Sequence, residues 1–174
     1  MSKVIKTLLV IYLACLFQTN VVKYLAVFQV APDFMIATLV ALCAYQEVYG
    51  GICSGMLMGM LYDSTLGYVL ALNLIAYSLI GYAAPKMRTF MEQKTRLFPG
   101  RGMLLLCVIC LLLTAAREML YLGYLFLIGG ELGASSLVRF TISCLLTTLW
   151  LVPISLFLRV LFHPTSQPRM TPAP

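Results

Sequence analysis

Long apolar runs, separated by short polar or glycine-rich links, restrict the fold of this chain more than any other feature. The 174 residues are 61% hydrophobic and only 10% charged, whereas a soluble domain carries about 25% charged residues. In water such a chain would expose apolar surface on all sides, so a lipid bilayer is its natural solvent. The sequence therefore predicts an all-α integral membrane protein.

The apolar runs have the lengths of membrane helices and predict a single six-helix transmembrane domain over residues 1–162. We expect Gly50 and Gly51 to break the helical pattern and Pro85 to end the fourth helix. The third run is about 18 Å long as a helix, so it must fuse with the second or lie sheltered in the bundle. The proline-rich segment 163–174 is expected to be a flexible cytoplasmic tail. The six predicted helices are 4–22, 32–48, 51–63, 66–84, 102–128 and 135–162.

Basic residues predict the orientation, because Lys and Arg are enriched on the cytoplasmic side of membrane proteins. With six spans, nine of the twelve basic residues fall on one side. This distribution predicts a multi-pass membrane protein with both termini in the cytoplasm, and it gives no reason to expect a nucleic-acid partner. The nine are Lys3, Lys6, Lys86, Arg88, Lys94, Arg96, Arg101, Arg159 and Arg169.

Five of these basic residues form a cytoplasmic basic loop between the fourth and fifth helices. Such a loop would attract anionic membrane lipids, at about 1 kcal/mol per basic residue near the surface. It could instead meet a filament partner, but lipid attraction is the simpler interpretation. The five are Lys86, Arg88, Lys94, Arg96 and Arg101.

Glycine recurs at every fourth position in the third helix, at Gly51, Gly55 and Gly59. Residues four apart lie close to one face of a helix, and small residues there let another backbone approach closely. Two interpretations remain open. The face could pack against another helix of the same bundle, which we favour because the helix is short, or it could bind a partner protein.

Ionisable and amide side chains within the apolar runs form the second candidate site. Such groups are rare in membrane segments and usually face protein or water. Arg117 lies about 22 Å along the fifth helix and should find an acidic partner, with Asp33 or Asp63 at suitable depth. Glu118 points about 100° away and is not expected to be that partner. An internal network, a docking site, and a transport or ligand-binding site all remain open. The predicted buried polar cluster comprises Asp33, Asp63, Asn73, Arg117 and Arg139.

No residue pattern indicates catalysis, a cofactor or a metal. The chain has no G-x-S-x-G, no glycine loop with lysine for phosphates, and no H-E-x-x-H. Cys107 and Cys110 form a C-x-x-C, but no histidine or basic residue lies nearby to activate a thiolate. The single histidine, His163, lies close to the end of the last apolar run, so we expect no histidine-based metal site. We therefore expect a protein that is not an enzyme.

The first half of the chain resembles the MreD family of bacterial rod shape-determining membrane proteins. The resemblance is carried by "LFQTN", "APDFMIATLVALCAY" and "GGICSGMLMGMLYDSTLGYVLALNLIAYSLIGY", between residues 16 and 82. From residue 85 onward only the hydropathy is similar. The matching positions are Pro32, Asp33, Gly51 or Gly50, Gly55, Gly59, Tyr62, Asp63, Leu66, Gly67 and Asn73.

The resemblance implies a function that composition alone does not. It implies a non-catalytic membrane adaptor of the cell-wall elongation (rod) complex that binds MreC and helps to maintain rod cell shape. Through that complex it implies contact with RodA and a class B penicillin-binding transpeptidase, and indirectly with MreB filaments. It also implies a fold similar to the S components of energy-coupling-factor transporters. A small-molecule-binding, S-component-like subunit of a vitamin transporter is therefore the alternative.

Overall fold

The computed structural model describes residues 3–26, 30–66, 72–94, 102–127, 129 and 134–162. Within these residues the fold consists of six α-helices without a β-strand, which confirms the prediction of an all-α, six-helix bundle. A single 3₁₀ turn, Val22–Tyr24, follows the first helix. The helices are α1 (Lys3–Asn20), α2 (Phe34–Cys43), α3 (Val48–Leu66), α4 (Leu72–Lys94), α5 (Gly102–Leu127) and α6 (Ala134–Phe162).

Three of the described helices are long and apolar enough to cross a membrane: Lys3–Asn20, Gly102–Tyr124 and Val138–Phe162. They expose large apolar side chains such as Tyr12 on α1 and Leu149 on α6. Exposing these apolar side chains to water would cost free energy, whereas the apolar core of a bilayer accommodates them. Length, composition and the outward-facing apolar side chains together indicate a membrane protein.

Helix α2 forms the centre of the core. All ten of its residues are buried, and it packs against α1, α3, α4, α5 and α6. Ten residues extend only about 15 Å, half of a hydrocarbon core of about 30 Å. A helix that ends within the membrane needs partners for its terminal backbone groups. At its N-terminus the backbone N–H of Asp33 donates to Thr147 Oγ1 (3.0 Å) and that of Phe34 donates to Gln18 Oε1 (2.8 Å).

The break between α2 and α3 lies earlier than the predicted position at Gly50 and Gly51. Helix α2 ends at Cys43 and α3 begins at Val48, so both glycines lie inside α3. Polar side chains explain the shift. Gln46, in the link, donates to Thr7 Oγ1 (3.1 Å) and accepts from Ser54 Oγ (3.0 Å). These bonds join the link to α1 and α3 and stabilise a turn there.

Pro85 does not end the fourth helix, contrary to the prediction, because α4 continues to Lys94. Proline has no backbone N–H, so the carbonyl of Gly81, four residues earlier, loses its usual helical donor. That carbonyl faces Gly51 of α3 so closely that a Cβ on Gly51 would overlap it. The proline therefore lies at a helix contact, where the neighbouring helix shields the released carbonyl.

The first, second, fourth and last helices meet at one end of the bundle, the basic end, which is defined by Lys6, Arg88 and Arg159. Lys6 Nζ donates to the carbonyl of Leu161 (2.8 Å), near the end of α6. Arg88 donates to the carbonyl of Ala44, just after α2. Both bonds place a cation at a helix C-terminus, where free carbonyls and the helix dipole favour positive charge.

Candidate functional site

The glycine face of α3 packs directly against α4. A Cβ on Gly55 would overlap the carbonyl oxygen of Tyr77, and a Cβ on Gly59 would lie 2.6 Å from the Cα of Leu74. Gly51 meets Gly81 in the same way, and the contact is reciprocal. The face therefore brings two backbones together within the bundle. We call this contact between α3 and α4 the glycine seam.

Beyond the glycine seam, away from the basic end, six polar side chains meet. We call them the polar cluster: Asp33, Asp63, Asn73, Tyr77, Arg117 and Glu118. They come from the start of α2, the end of α3, the first turns of α4 and the middle of α5. Packing of α3 on α4 brings Asp63 beside Asn73, and the contacts of α2 with α4 and α5 bring Asp33 beside Tyr77 and Arg117.

Asp33 is the most buried carboxylate of the polar cluster, with 4% of its surface exposed. It is the N-cap of α2, and its Oδ1 accepts from the backbone N–H of Ile36 (3.1 Å). The hydroxyl of Tyr77 lies 2.9 and 2.8 Å from its two carboxylate oxygens, and Arg117 Nη1 lies 3.7 Å from Oδ2. The negative charge is thus compensated by a helix N-terminus, a hydroxyl donor and a guanidinium.

Besides Asp33 at the start of α2, the guanidinium of Arg117 on α5 contacts side chains of α3 and α4. Nη1 donates to Glu118 Oε1 (2.8 Å) on the same helix, and Nη2 donates to Asn73 Oδ1 (3.2 Å) on α4. The guanidinium also lies 5.6 Å from the centre of the Tyr62 ring on α3, within the range of a cation–π contact. Only 13% of the side chain is exposed.

Glu118 does pair with Arg117, contrary to the expectation drawn from its position on the helix. Neighbouring residues project about 100° apart, which argues against a contact between their Cβ atoms. The arginine side chain, however, is long enough to turn back, so its Nη1 reaches the next carboxylate. Ser143 Oγ of α6 lies 3.4 Å from the same oxygen, Oε1, and therefore links this pair to the last helix.

Asp63 caps the start of α4 from the end of α3. Its Oδ2 accepts from the backbone N–H of Leu74 (3.0 Å), and its Oδ1 accepts from Asn73 Nδ2 (2.8 Å). The first N–H groups of a helix have no partner within the helix, and a carboxylate there is favoured by the helix dipole. Because Asn73 also accepts from Arg117, it bridges the two charged groups.

The structure brings together most, but not all, of the residues predicted for this cluster. Asp33, Asp63, Asn73 and Arg117 meet, whereas Arg139 is exposed on α6. In the described part of the chain, no hydrogen bond or ion pair joins Arg139 to the other four. Its place near the start of α6 explains this, because Thr147, which binds Asp33, lies two turns further along the helix.

Three further residues at this level were not predicted from the sequence: Tyr77, Gln18 and Thr147. Each is polar and lies within or at the end of an apolar run, which is a signal that could have marked it. Tyr77 is completely buried, and its hydroxyl donates a hydrogen bond to the carboxylate of Asp33. The other two accept hydrogen bonds from the backbone at the start of α2.

The described part of the predicted basic loop, up to residue 94, is helical. Lys86, Arg88 and Lys94 belong to α4, while Arg96 and Arg101 lie outside the described residues, as does the tail 163–174. Lys86 is exposed and donates to the hydroxyl of Tyr82. Arg88 donates a hydrogen bond to the carbonyl of Ala44, just after α2, so its charged group does not interact with solvent alone.

Cysteines and acidic residues do not assemble a metal centre within the described residues, where no group of three potential ligands was found. All six cysteines are free, including Cys107 and Cys110. What the polar cluster offers chemically is a set of hydrogen bonds and ion pairs that join α2, α3, α4, α5 and α6.

Comparison with known proteins identifies a protein family. The family model of MreD, rod shape-determining protein MreD, matches residues 1–165. No curated protein and no solved structure matches the chain. The family match covers the glycine seam, the polar cluster and all six helices, including the half of the chain beyond residue 85. This chain belongs to the MreD family of rod shape-determining proteins.

Proposed function

We propose that this protein is a non-catalytic membrane adaptor of the cell-wall elongation (rod) complex in the bacterial cytoplasmic membrane. In this role it binds MreC directly through its membrane-embedded helices. RodA and a class B penicillin-binding transpeptidase are further partners in the complex, and MreB filaments are contacted indirectly. The observation that carries the proposal is the family match over residues 1–165, which includes every helix of the bundle.

The geometry of the polar cluster supports a scaffold. Its charged groups bind other groups of the bundle. Arg117 forms ion pairs with Asp33 and Glu118, and Asp63 accepts from a backbone N–H in the first turn of α4. Such a network fixes the relative positions of five helices. A protein that must present a constant surface to partners within the membrane benefits from this fixed arrangement.

The glycine seam supports partner binding at other surfaces. Because Gly51, Gly55 and Gly59 already contact α4, they are not available to a second protein. A partner helix has to bind side chains that face lipid, such as Tyr12 on α1, Met119 on α5 or Leu149 on α6. The seam then acts indirectly, because it keeps the bundle in the shape that the partner recognises.

The proposal is tested by depleting the protein in its native bacterium and complementing it with tagged variants. The wild-type protein should restore rod shape and copurify MreC. Gly55→Leu places a large side chain against the backbone of Tyr77 and should reduce both accumulation in the membrane and MreC capture. Cys53→Leu is the matched control, because Cys53 is exposed on the same helix, and this variant should behave as wild type.

The outcomes separate the function from the role of the seam. If cells remain rods after depletion, or if the wild-type protein does not capture MreC, the adaptor function is contradicted. If Gly55→Leu accumulates normally and captures MreC, only the role of the seam is contradicted. A vitamin transporter subunit would behave differently: a small vitamin would raise the thermal stability of the purified protein, and depletion would cause auxotrophy rather than rounding.

A further inference from the structure

Two sets of contacts mark two levels of the helix bundle. At the basic end, Lys6 of α1 binds the carbonyl of Leu161 on α6. At the level of the polar cluster, Gln18 of α1 and Thr147 of α6 accept hydrogen bonds from backbone N–H groups at the start of α2. At a rise of about 1.5 Å per residue, these levels are about 18 Å apart along α1 and about 21 Å apart along α6. This separation is about 10 Å less than the hydrocarbon core of a bilayer, which is about 30 Å thick.

Three neighbouring helices end close to the level of the polar cluster, and each carries polar side chains there. Helix α3 packs against both α1 and α4. Its last turn contains Asp63, Ser64 and Thr65, whereas α1 ends at Asn20 and Asn73 is the second residue of α4. Of these five residues, Asn20, Ser64 and Thr65 are exposed. We call the five side chains the polar rim.

Helices α5 and α6 continue well beyond this level. From the contact between Glu118 and Ser143, α5 runs on to Leu127 and α6 reaches back to Ala134, which adds about 14 Å along each helix. No described side chain in these two stretches, 119–127 and 134–142, is buried. Large apolar ones such as Leu120 and Leu127 are exposed. These stretches therefore suit a bilayer of full thickness, whereas the polar rim does not.

The link after α1 is compatible with a membrane surface near the polar rim. Val22 and Val30 are buried, whereas Tyr24 is 88% exposed, and tyrosine is enriched where hydrocarbon meets lipid headgroups. In a bilayer of even thickness, the polar rim would instead lie about 10 Å inside the hydrocarbon. Lipid chains offer no partners to polar side chains or to helix ends at that depth. A bilayer adapts to a short apolar stretch by local thinning.

We propose that the protein thins the bilayer beside α1, α3 and α4, in the leaflet opposite the basic end. Lipid headgroups and water then lie at the polar rim on this side of the bundle, whereas the bilayer beside α5 and α6 keeps its ordinary thickness. The partner of this surface is the lipid bilayer itself. The inference goes beyond the proposed adaptor function and is independent of MreC binding.

The test measures the depth of a fluorescent probe in dioleoylphosphatidylcholine vesicles that contain only the full-length protein. A bimane is attached to Thr65→Cys on the polar rim or to Leu145→Cys on α6. Leu145 is 59% exposed and lies between Ser143 and Thr147, at the level of the polar cluster. Both variants also carry Cys53→Ala, because Cys53 is exposed, and the signal of the Cys53→Ala protein alone is subtracted.

Nitroxide lipids, labelled either at the headgroup or in the middle of an acyl chain, quench the probe according to its depth. Headgroup nitroxides should quench the probe at Thr65 about twofold more strongly than chain nitroxides, because thinning brings headgroups to the polar rim. The order should be reversed at Leu145. Ser64→Cys and Leu149→Cys, which are also at exposed positions on α3 and α6, replace either variant that does not fold.

Three other outcomes would overturn the proposal. Stronger quenching by chain nitroxides at both positions would show a bilayer of even thickness around the bundle. Stronger quenching by headgroup nitroxides at both positions would show that the whole bundle lies deeper on one side, with the ends of α5 and α6 in water. Weak quenching of the Thr65 probe by both lipids, together with strong quenching by iodide in solution, would show a water-filled crevice in the protein instead of a thinned bilayer.

Discussion

At the residue scale, the charge of Arg117 depends on the groups around it. Asp33 lies 3.7 Å away and Glu118 2.8 Å away, in a site largely shielded from solvent. Removing one partner of a buried ion pair leaves the other charge uncompensated, which costs about 3–5 kcal/mol. The pair is therefore sensitive to single substitutions, even where its net contribution to stability is small.

Arg117→Ala should lower the thermal stability of the purified protein strongly, because Asp33 and Glu118 then remain buried without their cation. Arg117→Lys keeps the charge but lacks the planar fork through which the guanidinium binds Asn73 and Glu118 with two different nitrogens, so we expect a smaller loss. The measurement is thermal unfolding in the same detergent or nanodisc. Arg139→Ala is the control and should change little, because Arg139 is exposed. Equal stability of Arg117→Ala and wild type would contradict the buried pair.

Tyr77→Phe should lower stability by about 1.5–3 kcal/mol, the range for a hydrogen bond to a charged group. The change removes only the hydroxyl that donates to Asp33 and retains the buried ring. Tyr49→Phe is the matched control, because Tyr49 is 83% exposed. Thermal unfolding of both variants gives the comparison, and an unchanged Tyr77→Phe protein would show that the hydroxyl is dispensable.

Sequence reasoning at this scale identified the charges but not their pairing in full. It predicted that Arg117 needs an acidic partner and that Asp33 is at suitable depth. Glu118 was excluded because helical geometry describes Cβ directions and not the reach of a long side chain. Tyr77 was missed because a tyrosine within an apolar run is usually a packing residue, and only the fold shows Asp33 opposite its hydroxyl.

At the element scale, glycines in different helices should respond in opposite ways to the same substitution. Gly55→Ala should destabilise, since its Cβ would overlap the Tyr77 carbonyl oxygen and separate α3 from α4. Gly123→Ala should stabilise by up to about 1 kcal/mol, because alanine is the better helix former and no atom lies within 4 Å of a Cβ there. Thermal unfolding of the two variants is the measurement. Stabilisation by Gly55→Ala would contradict the seam.

Pro85 shows why helix boundaries were harder to predict than helix contacts. Proline is a reliable signal of a broken hydrogen bond, but whether the helix ends depends on what happens to the released carbonyl. Here Gly51 of α3 lies against the Gly81 carbonyl, which no local pattern in α4 reveals. The four-residue spacing of Gly51, Gly55 and Gly59, in contrast, was visible in the sequence and corresponds to the packed face.

At the scale of the whole molecule, six helices and the basic end together predict the orientation in the membrane. Fluorescent reporters fused at residue 97 or at the C-terminus should be active in the cytoplasm, whereas alkaline phosphatase fused near residue 131 should be active in the periplasm. Positive charge at the basic end, from residues such as Lys6 and Arg88, is the physical reason. Phosphatase activity of the fusion at residue 97 would contradict a six-span topology.

Hydropathy alone indicated an α-helical membrane protein, since apolar runs of this length rarely occur in anything other than membrane-spanning helices. It could not reveal that α2 is only ten residues long and buried on every side. A buried helix and a lipid-facing helix are equally apolar, so the sequence does not distinguish them. The bond from Gln46 to Thr7, just after α2, and the bond from Asp33 to Thr147, at its start, join residues far apart in the chain.

The bond between Lys6 and Leu161 has a consequence for synthesis of the protein. The first helix leaves the ribosome early, but its lysine meets its acceptor only after almost the entire polypeptide has been translated. Until then the nascent chain stays open at that end, and α2 lacks the last of its neighbours. Assembly in the membrane is therefore concluded by the final helix, and premature termination within it would leave every earlier helix inserted but the bundle unclosed.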